Sequence, residues 1–182
     1  MLKAPTYRET LYEVALDSYG YVTPADALEV GLPKGELPKL ARHRNGNLQN
    51  VAYGLYRFTK TPASSLGYLA EAVKRVDDGA YLHGESVLEL HGLADVNSRY
   101  IYVASPKRVR RSFPGNLKVS VGRTGVPVTE YEGIPCQPVA DAILECRGKV
   151  EQKRLVQATH KAMQQVLLTM KNWGRVQKEL SL

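Results

Sequence analysis

The first 58 residues constrain the fold most, because each helical segment in them ends almost as soon as it starts. Thr6 and Glu9 form a capping-box pair, and Leu11, Val14, Ala15 and Ser18 follow at helical spacing until Gly20. In "YVTPADALEVG", Thr23 caps, Pro24 suits the first helical position and Asp26 the third, and Gly31 stops the helix after barely two turns. A third helix runs through "LPKLARHR" and breaks at "NGN", residues 45–47. It must begin at about Glu36 or Leu37, because the Pro38 ring would clash with a preceding turn. "LQNVAYGLYRF" then predicts strands at Leu48–Val51 and Leu55–Phe58 around a turn at Ala52–Gly54. Three short helices followed by a tight hairpin is the order of a winged helix-turn-helix. Such a domain is about the smallest that builds its own core. The expected core is Leu11, Val14, Ala15, Val22, Ala27, Leu28, Leu37, Leu40, Ala41, Val51 and Leu55.

"TKTPASS" at 59–65 has no periodicity and reads as a linker. The expected division is therefore a DNA-binding domain at 1–60 and a second domain at 61–182. The second part mixes helices ("LGYLAEAVKRV", "ESVLELH", "PVADAILEC") with strands ("RYIYVAS", "NLKVSV") and a hairpin about Glu132-Gly133. A long amphipathic helix is expected over 151–171, with Leu155, Val156, Ala162, Met163, Val166, Leu167 and Met170 inward, followed by a short tail helix. The whole is α+β.

"LHGESVLELHGL", residues 82–93, crowds two histidines and two glutamates together and invites a metal reading. The spacing argues against one. No HExxH is present, and the His83–Glu85 pair lacks the PCxxC that zinc deaminases add to HxE, since Cys136 and Cys146 are ten apart. The plainer expectation is a core helix facing inward through Val87, Leu88 and Leu90, with His91 half-buried and hydrogen-bonded. There is no GxSxG, GxxxxGK[ST] or strand-bound GxGxxG, and the Ser, His and Cys residues form no recognisable set. Binding rather than catalysis is expected, with no cofactor and no metal. The two cysteines are expected to stay reduced.

Basic charge is clustered. The net charge is +7, with an excess of +4 over 34–57 and +6 over 147–182, and 107–123 carries six basic residues and no acid. Clustering of this kind favours a polyanionic partner. On the third helix Lys39, Arg42 and His43 are left outward, with Lys34 before its start and Arg44 after its end. Exposed side chains of such a helix read base edges in the major groove. Gln49, Asn50 and Tyr53 of the hairpin would meet backbone or minor groove, while Arg57 either binds phosphate or pairs within the fold. The second run, Lys107, Arg108, Arg110 and Arg111 with neighbouring Lys118 and Arg123, is a contact patch or a solvated loop, and polyanion contact is the favoured reading. No apolar run is long enough to span a membrane, and the N-terminus lacks a secretory signal's apolar core, so a cytoplasmic protein without a membrane partner is expected.

Four stretches together resemble one family: "TPADALEVGL", "NVAYGLYRF", "AYLHGESVLELHGLADVNSRYIYVASPKR" and "EGIPCQPVADAILEC". "YGLYRF" is similar to the wing motif, and "HGESVLELHGL" to the second-domain motif, of the AbiEi-type antitoxins of type IV (abortive-infection, phage-defence) toxin–antitoxin systems. The resemblance covers roughly residues 10–147. It implies an N-terminal winged helix that binds inverted repeats in its own promoter as a repressor. It also implies a C-terminal antitoxin domain that counters a nucleotidyltransferase-like toxin, with or without stable contact. Two other readings stand beside it: a winged-helix transcriptional regulator whose second domain senses a ligand or protein partner, and an enzyme whose second domain acts on nucleic acid.

Overall fold

A computed structural model describes residues 6–43, 46–94, 98–122 and 125–181. The chain is α+β and divides into two compact units, the first ending at Asp78 and the second beginning at Gly79.

In the N-terminal unit, α1 (Tyr7–Leu16) starts at a complete Thr6/Glu9 capping box, and α2 (Pro24–Glu29) at a second one formed by Thr23 and Asp26. Each box satisfies backbone N–H groups that the first helical turn leaves unpaired. The third helix, α3 (Glu36–Arg42), begins where Pro38 requires, so that proline falls in the first turn, where a missing N–H costs nothing. β2 (Leu48–Ala52) and β3 (Leu55–Phe58) form the hairpin. A two-residue strand, β1 (Tyr21–Val22), pairs with β3 to give an antiparallel sheet of order β1-β3-β2. Two residues are too few to reveal a strand period, so β1 was not visible in the sequence.

One side of this unit is a cluster of Leu11, Ala15, Val22, Ala27, Leu32, Leu37, Leu48, Tyr56 and Phe58. Leu28, expected inside, is 54% exposed, because α2 is anchored through Ala27 and the Leu32 that comes after it. Gly20 does more than end α1: a Cβ there would lie 2.1 Å from the Thr61 Oγ1 atom, so the chain leaving β3 passes against bare backbone.

The expected boundary after residue 60 is displaced. Helix α4 (Gly67–Val76), assigned from sequence to the second domain, belongs to the first. The Tyr21 hydroxyl donates to Glu71 at 2.5 Å, Arg75 donates to the Val51 carbonyl at 3.2 Å, and Lys74 lies 3.6 Å from Asp26. Residues 59–65 therefore connect parts of one unit.

The C-terminal unit is built on a five-stranded mixed sheet of order β6-β5-β4-β8-β7. The strands are β4 (Tyr81–Leu82), β5 (Ile101–Ser105), β6 (Leu117–Val121), β7 (Thr129–Tyr131) and β8 (Ile134–Cys136). β4, the shortest, is central, antiparallel to β5 and parallel to β8. The β7–β8 turn is at Glu132-Gly133, both at positive φ, as a tight hairpin requires. Helices α5 (Glu85–Leu90), α6 (Val139–Glu145), α7 (Gln152–Gln164) and α8 (Met170–Leu180) complete the unit, with α6 packed against α5, α7 and α8. Among the described residues no helix is long and apolar enough to cross a membrane.

The long helix expected over 151–171 stops early, at Gln164, and the expected tail helix starts early, at Met170. The buried stripe of α7 is Leu155, Ala158, Thr159 and Ala162, and the chain then reverses, with Val166 at φ 59°. Val166 and Met170, expected inward, are 85% and 72% exposed. Thr169 supplies the reason: its hydroxyl accepts from the Asn172 N–H at 3.2 Å and starts α8 afresh.

If α4 is integral to the first unit, a 1–78 fragment should melt cooperatively. A 1–60 fragment should melt well below it or without a transition, read by circular dichroism. Equal melting temperatures would place α4 outside the unit.

Candidate functional site

Leu37 anchors α3 in the core, which leaves Lys39, Arg42 and His43 exposed on its other side, with Lys34 exposed just before it. Lys39 is held by Glu36 at 2.6 Å. α3 packs beside β2, whose Gln49 and Asn50 are exposed, and the hairpin tip carries Tyr53, 83% exposed. Asn50 is engaged locally, donating to the Ala52 carbonyl at 3.0 Å. So α3 and the hairpin bring most of the predicted DNA-contacting residues into one unit. Arg57 is the exception. It is half-buried with its guanidinium 5.6 Å from the centre of the Tyr21 ring, so of its two expected roles the structure supports pairing within the fold. Arg44 lies outside the described residues.

The second basic run occupies the connection between the parallel strands β5 and β6. Lys107, Arg108 and Arg110 are exposed there, while Arg111 is half-buried and lies 5.5 Å over the Phe113 ring. Lys118, on β6, places its ammonium 4.4 Å from the Tyr100 ring centre, and Arg99 approaches the same ring at 5.9 Å. Cations resting on aromatic faces are attracted by the ring quadrupole and held in place by it. Arg123 lies outside the described residues.

The "HGES" stretch builds something the sequence did not disclose. It lies at a cleft of about 780 Å³ in the C-terminal unit. β4 ends at Leu82, His83 follows it, and Gly84 turns the chain into α5 with φ 55° and ψ −129°, a conformation reserved for glycine. A Cβ on Gly84 would stand 3.4 Å from a Glu145 carboxylate oxygen. That carboxylate, at the end of α6, is 2.7 Å from His83 Nδ1 and 3.5 Å from the Lys149 ammonium. Gln137 accepts from the Gly84 N–H at 3.2 Å and also bonds Glu145. The His83 hydrogen bond is the main reason that the Glu145 carboxyl is held down at about 2, against the opposing effect of burial. On the other side of the ring, Nε2 lies 3.2 Å from the Ser120 hydroxyl. Three segments, around residues 83, 120 and 145, thus meet in one line.

The other members of the motif are structural. Ser86 is fully buried and accepts from the Tyr102 N–H at 2.8 Å, and Val87, Leu88 and Leu90 are core as expected. His91 is half-buried, and among the described residues neither of its ring nitrogens has a hydrogen-bond partner, so the expected hydrogen bond is not found there. Its ring instead packs on Tyr131, 4.2 Å between centres. Among the described residues no group of three or more His, Cys, Asp or Glu is arranged to hold a metal ion. Cys136 and Cys146 are buried free thiols, pushed up by burial to about 11 and about 12.

Burial holds the His91 imidazole down at about 4, against an ordinary 6.5. The unfolded chain therefore binds this proton more readily, and stability should fall as pH drops from about 6.5 to about 4. The Glu145 contribution is lost only lower, between 4.5 and about 2. Urea denaturation at stepped pH should show the His91→Leu variant with a flatter profile in the upper window. An unchanged slope there would place the titration elsewhere.

No family model matches this sequence, and no curated protein does. Among solved structures, the crystal structure of the RV2827C protein from Mycobacterium tuberculosis matches across 98% of this chain and 82% of that one, at 16% identity and a TM-score of 0.38. A likeness that loose carries no argument about what this chain does.

Proposed function

We propose that this chain is an antitoxin and transcriptional autorepressor. Its N-terminal unit would act as a winged helix-turn-helix on inverted repeats in its own promoter, and its C-terminal unit would counter a nucleotidyltransferase-like toxin. The observation that carries the first half is the juxtaposition of α3, with Lys39, Arg42 and His43 exposed, and the hairpin, with Gln49, Asn50 and Tyr53 exposed. A short helix offering cations beside a projecting hairpin suits a major groove and its flanking backbone. The antitoxin half rests on the motif resemblance and on the basic β5–β6 connection. The cleft in the C-terminal unit favours a second reading, a regulator that senses a small ligand. A neighbouring toxin gene separates the two.

Gel shifts on promoter DNA across a salt series should distinguish Arg42→Ala from Lys39→Ala. Loss of Arg42 should cost about 1–3 kcal/mol and relax preference at one base pair. Loss of Lys39 should weaken all sequences alike and lower the salt slope by about one. Identical profiles would mean that α3 is not the reading helix. Charge reversal at Lys107, Arg108, Arg110 and Arg111 should abolish rescue from the toxin and spare promoter binding. Full rescue by the folded quadruple variant would remove that loop from the antitoxin role.

A further inference from the structure

The line from Glu145 through His83 to Ser120 has no structural need of its last member. Ser120 is exposed on β6, the edge strand of the sheet, so its hydroxyl could be satisfied by water. A carboxylate can only accept, so its 2.7 Å contact places a hydrogen on His83 Nδ1. In the neutral ring, Nε2 then carries the lone pair, and it faces the Ser120 hydroxyl at 3.2 Å. A hydroxyl nucleophile, an imidazole base and an orienting carboxylate in that order make an activated serine, whatever fold they sit on. The orienting group is itself fixed, by Gln137 and Lys149, and Tyr102 packs edge-on against the imidazole at 5.9 Å.

We propose that the cleft of the C-terminal unit is a serine-ester hydrolase site, with Ser120 as nucleophile, His83 as general base and Glu145 as the residue that positions His83. The substrate class is a small, uncharged carboxylic ester. A cleft of about 780 Å³ accommodates such a molecule, and the charges lining it are already matched. Asp141 pairs with Arg175 at 2.7 Å, Arg147 with Glu179 at 3.9 Å, and Glu145 with His83 and Lys149. Nothing there asks for a net charge on the ligand.

The Ser120 Oγ atom attacks the ester carbonyl carbon as its proton passes to His83 Nε2. The carbonyl electron pair moves onto oxygen and returns as the ester C–O bond breaks, and the alcohol leaves with the proton from Nε2. Water then attacks the acyl-serine, gives a proton to Nε2, and the acid departs as that proton returns to Ser120. A donor available to the oxyanion is at the same edge. The Gly122 N–H bonds the Ser105 carbonyl of β5, so strand alternation turns the Val121 N–H toward the open side, where Val121 lines the cleft. Tyr81 lines it too, and a Cβ on Gly122 would stand 2.7 Å from its hydroxyl.

The proposal is independent of DNA binding, which gel shifts on the same preparations report separately. The test uses the full chain with p-nitrophenyl acetate and with an uncharged fluorophosphonate, the adduct being mapped by peptide mass. The expected result is one phosphonyl adduct, on Ser120, with ester turnover falling to the uncatalysed background in Ser120→Ala. His83→Gln should slow both reactions about 100-fold or more. The Ser120 side chain is exposed, so the alanine variant should melt like the wild type and decides the matter even if His83→Gln fails to fold. Wild-type protein without an adduct at Ser120, or ester turnover unchanged in Ser120→Ala, would overturn the assignment.

Discussion

The hydrogen bond between His83 and the Glu145 carboxylate is the contact on which the C-terminal unit turns. β4 is the central strand of its sheet yet only two residues long, so it has few ladder bonds with which to fix its position. The residues just after it compensate. His83 reaches the end of α6, the Gly84 N–H reaches Gln137 just before α6, and the Ser86 hydroxyl receives the Tyr102 N–H of β5. The stretch that leaves the short strand is thereby tied to elements on both sides of it. The left-handed backbone at residue 84, φ 55° and ψ −129°, explains a glycine between His83 and Glu85.

The N-terminal unit answers a different constraint. Its sheet has three short strands, and a sheet that small needs support beyond one layer of short helices. The α1–α3 cluster supplies one side. Polar ties from α4 to Tyr21, Val51 and Asp26 add the helix that the linker-like sequence 59–65 had seemed to assign elsewhere. The packing leaves the outer side of α3 exposed, with Lys39 and Arg42 on it, and leaves Tyr53 exposed at the hairpin tip. DNA binding, as proposed, uses what the packing does not.

What was legible in the sequence was local. Thr6 with Glu9, Thr23 with Asp26, and Pro38 each mark a helix start through groups within a few residues, and those starts are where the structure has them. The Glu132-Gly133 hairpin was equally plain. What was not legible depends on distant partners. β1 and β4 are strands only because β3, β5 and β8 pair with them. The allegiance of α4 is written in Tyr21, fifty residues away from Glu71. Val166 and Met170 continued a helical period that Thr169 interrupts, a signal that was present and outweighed by the periodicity. The sequence neighbours of His83 do not disclose its partners, which lie 62 residues downstream at Glu145 and 37 downstream at Ser120.

The central claim, that His83 is an oriented ring held by Glu145 rather than one residue of a solvated helix face, is open to one direct measurement. Nitrogen-15 NMR of the histidine side chains distinguishes the two neutral tautomers, and Glu145→Gln identifies the contact. Neutral His83 is expected to carry its hydrogen on Nδ1, with a strongly deshielded proton that the substitution removes. A neutral ring with its hydrogen on Nε2, or a spectrum indifferent to Glu145→Gln, would contradict it.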